Sequence, residues 1–148
     1  MSSEKSLMGS QLNSISNGNY SKTTSVSDIT LSNDEIGERY IFGDFVFKLA
    51  SQSGNRGNDS IVTLFLVPLY SSGGQVINPV EGMTSLTNNY YAGHAEFDSS
   101  SSSRTVIIRG IRLPPSDFFP VINNRTGQSF GSSGNSLSVF AYGYEDVT

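Results

Sequence analysis

His94 is the one histidine in a chain of 148 residues that contains no cysteine. General-base catalysis, a nucleophile–base pair or an imidazole metal site would all have to pass through it, with partners drawn from distant parts of the sequence. Its neighbours point elsewhere. Residues 90–97 alternate, so His94 shares a strand face with Ala92 and Glu96, while Tyr91, Gly93, Ala95 and Phe97 take the other. A histidine beside a glutamate on one face is the pattern of a polar outer surface. Asp34, Glu35 and Glu38 form the densest acidic group, but they lack the central glycine and closing glutamate of a calcium loop and read as a solvated turn. The glycine-rich stretches 54–57 and 131–134 lack the lysine and following helix of a phosphate cradle. Asn19, Asn58 and Asn124 each open a glycosylation triplet, and such triplets arise by chance in a chain rich in Asn and Ser. Tyr90-Tyr91 and the pair Tyr142/Tyr144 would make an aromatic platform for a sugar, although rings on strands more often pack. No catalytic, metal-binding or cofactor-binding residue is expected, and the chain reads as a non-enzyme.

The elements that carry these residues are short. The organising one is residues 61–70, the longest apolar run, closed on both sides by Gly, Asn and Ser. Its odd positions Ile61, Phe65 and Val67 and its even positions Val62, Leu64 and Leu66 are both apolar. An ordinary sandwich strand needs one apolar face, so the second must be covered by the chain's own N-terminal segment or by a neighbouring subunit. Further strands are expected at 26–31, at 40–50 with a bulge at Gly43, at 75–77, and at 90–97. Three more follow at 104–113, ended by Pro114-Pro115, at 118–123 and at 136–144. Ser99 to Ser103 reads as a flexible hairpin tip. No helical period occurs. The fold class is an all-β antiparallel sandwich, of jelly-roll or immunoglobulin-like type.

Length suits one such domain. Charged residues are 15% of the chain, against about 25% ordinarily, and the net charge is -4. No basic cluster marks a nucleic-acid footprint, and no segment is long and apolar enough to span a bilayer. No apolar leader region follows the first residues, so no signal peptide is expected.

Residues 1–25 are polar, with isolated apolar side chains and no period of two or 3.6. Composition makes them an extended arm, free in solution and ordered only on a neighbour, with the sandwich domain at 26–148. On this reading the assembly contacts are Leu7, Met8, Leu12, Ile15 and Tyr20 on the arm and Val62, Leu64 and Leu66 on the central strand.

Several C-terminal motifs bear a family likeness. They are Leu113-Pro-Pro followed by the aromatic strand from Phe118, the turn Asn124-Arg-Thr-Gly-Gln128, and the turn Ser133-Gly-Asn-Ser-Leu137. Leu64-Phe-Leu-Val-Pro68 is a fourth. Together they make the chain, over residues 26–144, resemble a family of small virion structural proteins of tailed bacteriophages. Ser136 stands where a Thr is usual, and Gly73-Gly74 shortens a loop usually rich in Asp, Gly and Thr. The resemblance implies a β-sandwich without enzymatic activity, built into the virion during assembly in the host cytoplasm. The expected role is a head decoration or cement protein bound to the major capsid protein or other virion proteins, as a homo-oligomer, with a trimer favoured. The alternative is a neck or tail accessory, or a carbohydrate- or receptor-binding virion module.

Overall fold

β-Branched and aromatic residues in alternation build strands wherever Gly, Asn and Ser allow the chain to turn. A computed structural model describes residues 4–21, 32–33, 38–68, 70–72, 75–77, 90–114 and 118–143. Its strands are β1 Lys5–Met8, β2 Ser32–Asn33, β3 Glu38–Arg39, β4 Phe42–Leu49, β5 Ile61–Pro68, β6 Tyr70–Ser72, β7 Gln75–Ile77, β8 Tyr91–Glu96, β9 Arg104–Arg112, β10 Phe118–Arg125 and β11 Ser136–Tyr142. A 3-10 turn covers Ser10–Leu12. Four strands form one antiparallel sheet in the order β1-β11-β4-β9, and three form a second in the order β10-β5-β8. The pairs β2/β3 and β6/β7 are separate small ribbons.

The two sheets pack face to face. Phe45, Phe47, Leu49, Ile108, Leu137, Val139 and Ala141 from the first meet Val62, Leu64, Leu66, Ala95, Phe118 and Ile122 from the second in one core. The pairing order resolves the sandwich type. β1 lies against β11, Tyr20 bridges Asn123 of β10, β4 lies against β9, and β5 against β8. An antiparallel ribbon folded over on itself pairs in this way, which is the jelly roll and not the immunoglobulin arrangement.

The pairing also corrects the expectation of a free arm. Residues 5–8 are an edge strand of the four-stranded sheet, and residues 18–21 line the edge of β10. Between them the chain crosses from one sheet to the other and closes the end of the sandwich. Leu12 is fully buried, and Leu7, Met8 and Ile15 join the same core. The irregular spacing of these anchors has a physical cause. One part of the segment is strand, one is a 3-10 turn and one is irregular backbone, so no single period can run through it. Val62, Leu64 and Leu66 are likewise interior, because the even face of β5 is the one turned toward the opposite sheet. The odd face carries a second small cluster of Phe65, Val67 and Val121, against which Tyr20 and Tyr90 pack. Part of the cover for the second apolar face is therefore the chain's own N-terminal segment. The expected strand at 26–31 lies outside the described residues.

The crossover is held by the turn after β10. Asn124 is fully buried. Its backbone N–H donates to Asn19 O at 2.9 Å, and its carbonyl accepts from Gly18 N. Its side-chain amide donates to Ile15 O and to Gln128 O, both at 2.8 Å, while its Oδ1 accepts from the N–H and hydroxyl of Thr126. Gly127 takes φ 87°, in the left-handed region, and turns its N–H to Asn17 Oδ1. Asn135 serves the other turn, accepting from Ala50 N and donating to Asn13 Oδ1 and Gly131 O.

Two further expectations are revised. A bulge does fall at Gly43, but the extra residue is on the partner strand. Gly43 opposes Ile111 while Phe45 opposes Ile108, and Gly110 takes φ 65° with its N–H bonded to Asp44 Oδ1. The serine tip is neither a hairpin nor free, since β8 and β9 belong to different sheets. The buried Arg56 side chain gathers it in. Its guanidinium donates to the carbonyls of Asp98 and Ser102, to Gln52 Oε1, and to the Asp98 carboxylate at 2.7 Å. It also lies 5.6 Å from the Phe97 ring centre. Serines supply no packing of their own, so the loop is ordered through its backbone carbonyls.

Two stability measurements follow. Leu12→Ala in the isolated chain should cost about 2–5 kcal/mol in urea unfolding, as for other large-to-small core changes; a free arm would show no change. Hydrogen bonds from Arg56 and then Arg104 hold the Asp98 carboxyl down at about 2, against an ordinary 3.8. A depressed carboxylate contributes stability above its unfolded value and loses it as pH falls through its folded one. The gap in urea midpoint between the wild type and Asp98→Asn should be constant at neutral pH and close between about pH 4 and 2.

Candidate functional site

The outward face of the three-stranded sheet is built from the odd positions of β5 and their cross-strand partners. Three rows result. Glu96, Ile61 and Arg125 form one, His94, Thr63 and Asn123 the next, and Tyr91, Phe65 and Val121 the third. Strands are about 4.8 Å apart, so the outer members of a row stand roughly 10 Å from each other across the middle strand. A cleft of about 460 Å³ opens over these rows, with Tyr20 at one side. It shares Ile61 and Arg125 with a second cleft of about 620 Å³ that runs on toward Asn17, Asp59 and Gly127. The two make one trough.

Simple alternation would have buried Tyr91 with Gly93 and Ala95. The structure turns it outward instead. Leu64 pairs with Gly93 and Phe65 with Tyr91, so Ala92 is an extra residue on β8 and the strand changes face there. Tyr91 is consequently 49% exposed. Its ring meets Phe65 edge-on at 6.4 Å, and Tyr20 meets Phe65 from the other side at 6.0 Å. The Tyr91 phenol contacts His94 Nδ1 at 2.7 Å. A phenol donating to Nδ1 leaves the imidazole proton on Nε2, which stands 3.8 Å from Glu96 Oε1. Among the described residues the Arg125 side chain makes no hydrogen bond or ion pair, and Arg125 lines both clefts.

The residues expected to make assembly contacts divide. Leu7, Met8, Leu12, Ile15, Val62, Leu64 and Leu66 are in the interior of the sandwich, and Tyr20 alone reaches the trough. Of the tyrosines offered as a sugar platform, Tyr91 lines the cleft and Tyr90 packs on the small outer cluster. Tyr142 stacks on Phe42 and donates to Asp44, and burial and the Asp44 charge raise its phenol pKa. Tyr144, Asp34 and Glu35 lie outside the described residues. Thr63, Asn123 and Arg125 escaped the sequence reading, because only the register of β5 with β8 and β10 brings them beside His94. Among the described residues no group of three or more His, Cys, Asp or Glu gathers to hold a metal, and no helix is long and apolar enough to cross a membrane.

The fold and its outer face thus define a class, a small jelly-roll domain with an aromatic and polar trough on its three-stranded sheet. Set against family models, curated proteins and solved structures, the chain matches none.

Because Arg125 and Glu96 are exposed and belong to neither core cluster, Arg125→Ala and Glu96→Gln should each shift urea stability by no more than about 0.5 kcal/mol. Phe65→Ala beneath them should cost about 3–5 kcal/mol.

Proposed function

We propose that the protein is a non-enzymatic structural subunit of a bacteriophage particle, a head decoration protein that acts by binding the major capsid protein. The observation that carries this reading is where the resembling motifs fall. Asn124 and Thr126 of the first turn and Asn135 of the second are buried, hydrogen-bonded side chains that lock the chain crossover. The likeness therefore lies in the frame of the fold, where related chains must agree, and not in replaceable surface residues. Jelly rolls also recur in viral capsid proteins, which is an analogy of architecture and adds weight only as such.

The chemistry of the outer face supports a binding role. The one imidazole is engaged by the Tyr91 phenol at Nδ1 and stands 3.8 Å from an exposed carboxylate at Nε2, so these side chains tether one another beside an open aromatic ring. A decoration protein gains strength by repetition, since symmetry multiplies one modest contact over a whole shell. Self-association as a trimer on the capsid surface belongs to the same proposal.

The test is a count. Quantitative mass spectrometry of phage particles purified from cells carrying this gene should find the protein in a fixed ratio to the major capsid protein. Its absence from particles, or a few copies per particle as for a neck or tail part, would overturn the reading.

A further inference from the structure

We infer that the trough on the three-stranded sheet is a binding site for a short neutral oligosaccharide, with Tyr91 as its stacking platform. The inference is independent of the virion reading and stands on the chemistry of the trough.

A pyranose presents two unlike surfaces to a protein. One is a patch of C–H bonds that packs on an aromatic ring. The other is a rim of hydroxyls, each both donor and acceptor, best met by planar side chains that donate or accept in pairs. The trough offers both. Tyr91 is about half exposed, while its phenol is tethered to His94 and its ring packs at right angles to Phe65. A ring held on two sides loses little freedom when a ligand stacks on it. Across the next rows stand an acceptor pair on Glu96 and a donor fork on Arg125. They flank Ile61 with a gap of roughly 10 Å, the width of two strand spacings and enough for one sugar ring.

Charge decides between ligand types. Glu96 and Asp59 stand on either side of the junction, and among the described residues Arg125 is the one fixed cation lining the trough. A polyanion would meet two carboxylates, so the face suits an uncharged ligand that can use both signs. Length follows from the joined clefts. The cleft over Tyr91 continues past Arg125 into the larger one toward Asn17 and Asp59, so a chain of a few sugars can lie along the trough. An exposed, polar-rimmed site of this kind binds weakly, in the millimolar to high-micromolar range.

Saturation-transfer NMR and calorimetry on the full chain test this with maltotriose, cellotriose, chitotriose and mannotriose, each beside its monosaccharide. At least one trisaccharide should receive saturation and bind more tightly than its monosaccharide. Tyr91→Ala should weaken it tenfold or more, Tyr91→Phe should retain it, and Arg125→Ala should weaken it severalfold. Circular dichroism of each variant should match the wild type. Binding that survives both Tyr91→Ala and Arg125→Ala would place the site elsewhere and overturn the inference. So would no transfer to any of the four, or preference for a uronic-acid oligosaccharide over all of them.

Discussion

One buried amide organises this protein. Asn124 has two side-chain donors, two acceptor lone pairs, a backbone N–H and a backbone carbonyl, and all find partners within the turn or on the N-terminal crossover. Leaving such groups unpaired in the interior costs about 1–3 kcal/mol each, so the amide ties three segments to a single geometry. The crossover brings the residues that plug the core and then lays Tyr20 against Phe65. The outer trough thus depends on the same amide that closes the end of the sandwich.

Much of the sandwich was legible in the sequence. β4, β5, β9 and β11 carry enough apolar alternation or β-branched content, between clear turn signals, to be placed within a residue or two. The N-terminal segment was not legible, because its order comes from partners about a hundred residues away. Leu7, Leu12 and Ile15 read as scattered only until β11 and β10 are set beside them. Composition judged the segment unable to bury its own surface, which is correct of the segment alone and wrong of the folded chain. The five serines misled in the same sense. Their order is supplied by Arg56, a charged residue that local pattern would leave in solvent, and nothing in residues 99–103 announces it.

The trough was half legible. The two apolar faces of residues 61–70 signalled that something lies over the second of them, and His94 with Glu96 marked a polar exterior. Their conjunction with Arg125 and the outward turn of Tyr91 depended on register and on one extra residue in β8. A single inserted residue exchanges the faces of a strand, and periodicity cannot locate it in advance. Of the turn motifs behind the family resemblance, the one at 124–128 borders this face through Thr126 and Gly127, yet its buried side chains are spent on internal bonding. Frame and surface are free to vary separately, and a shared frame can carry different ligands.

The pairing of the first strand with the last also has a consequence for synthesis. β1 and the residues around Tyr20 find their partners only on β11 and β10. A ribosome moving at roughly 5–20 residues per second needs on the order of 5–20 s to make the intervening hundred or so residues. For most of that interval Leu7, Met8, Leu12 and Ile15 have no sheet to join, and once β4 and β5 emerge they expose the surfaces that these residues will cover. The abundant Ser and Asn of this segment then matter for the nascent chain, keeping it solvated despite its sparse charge until its partners emerge.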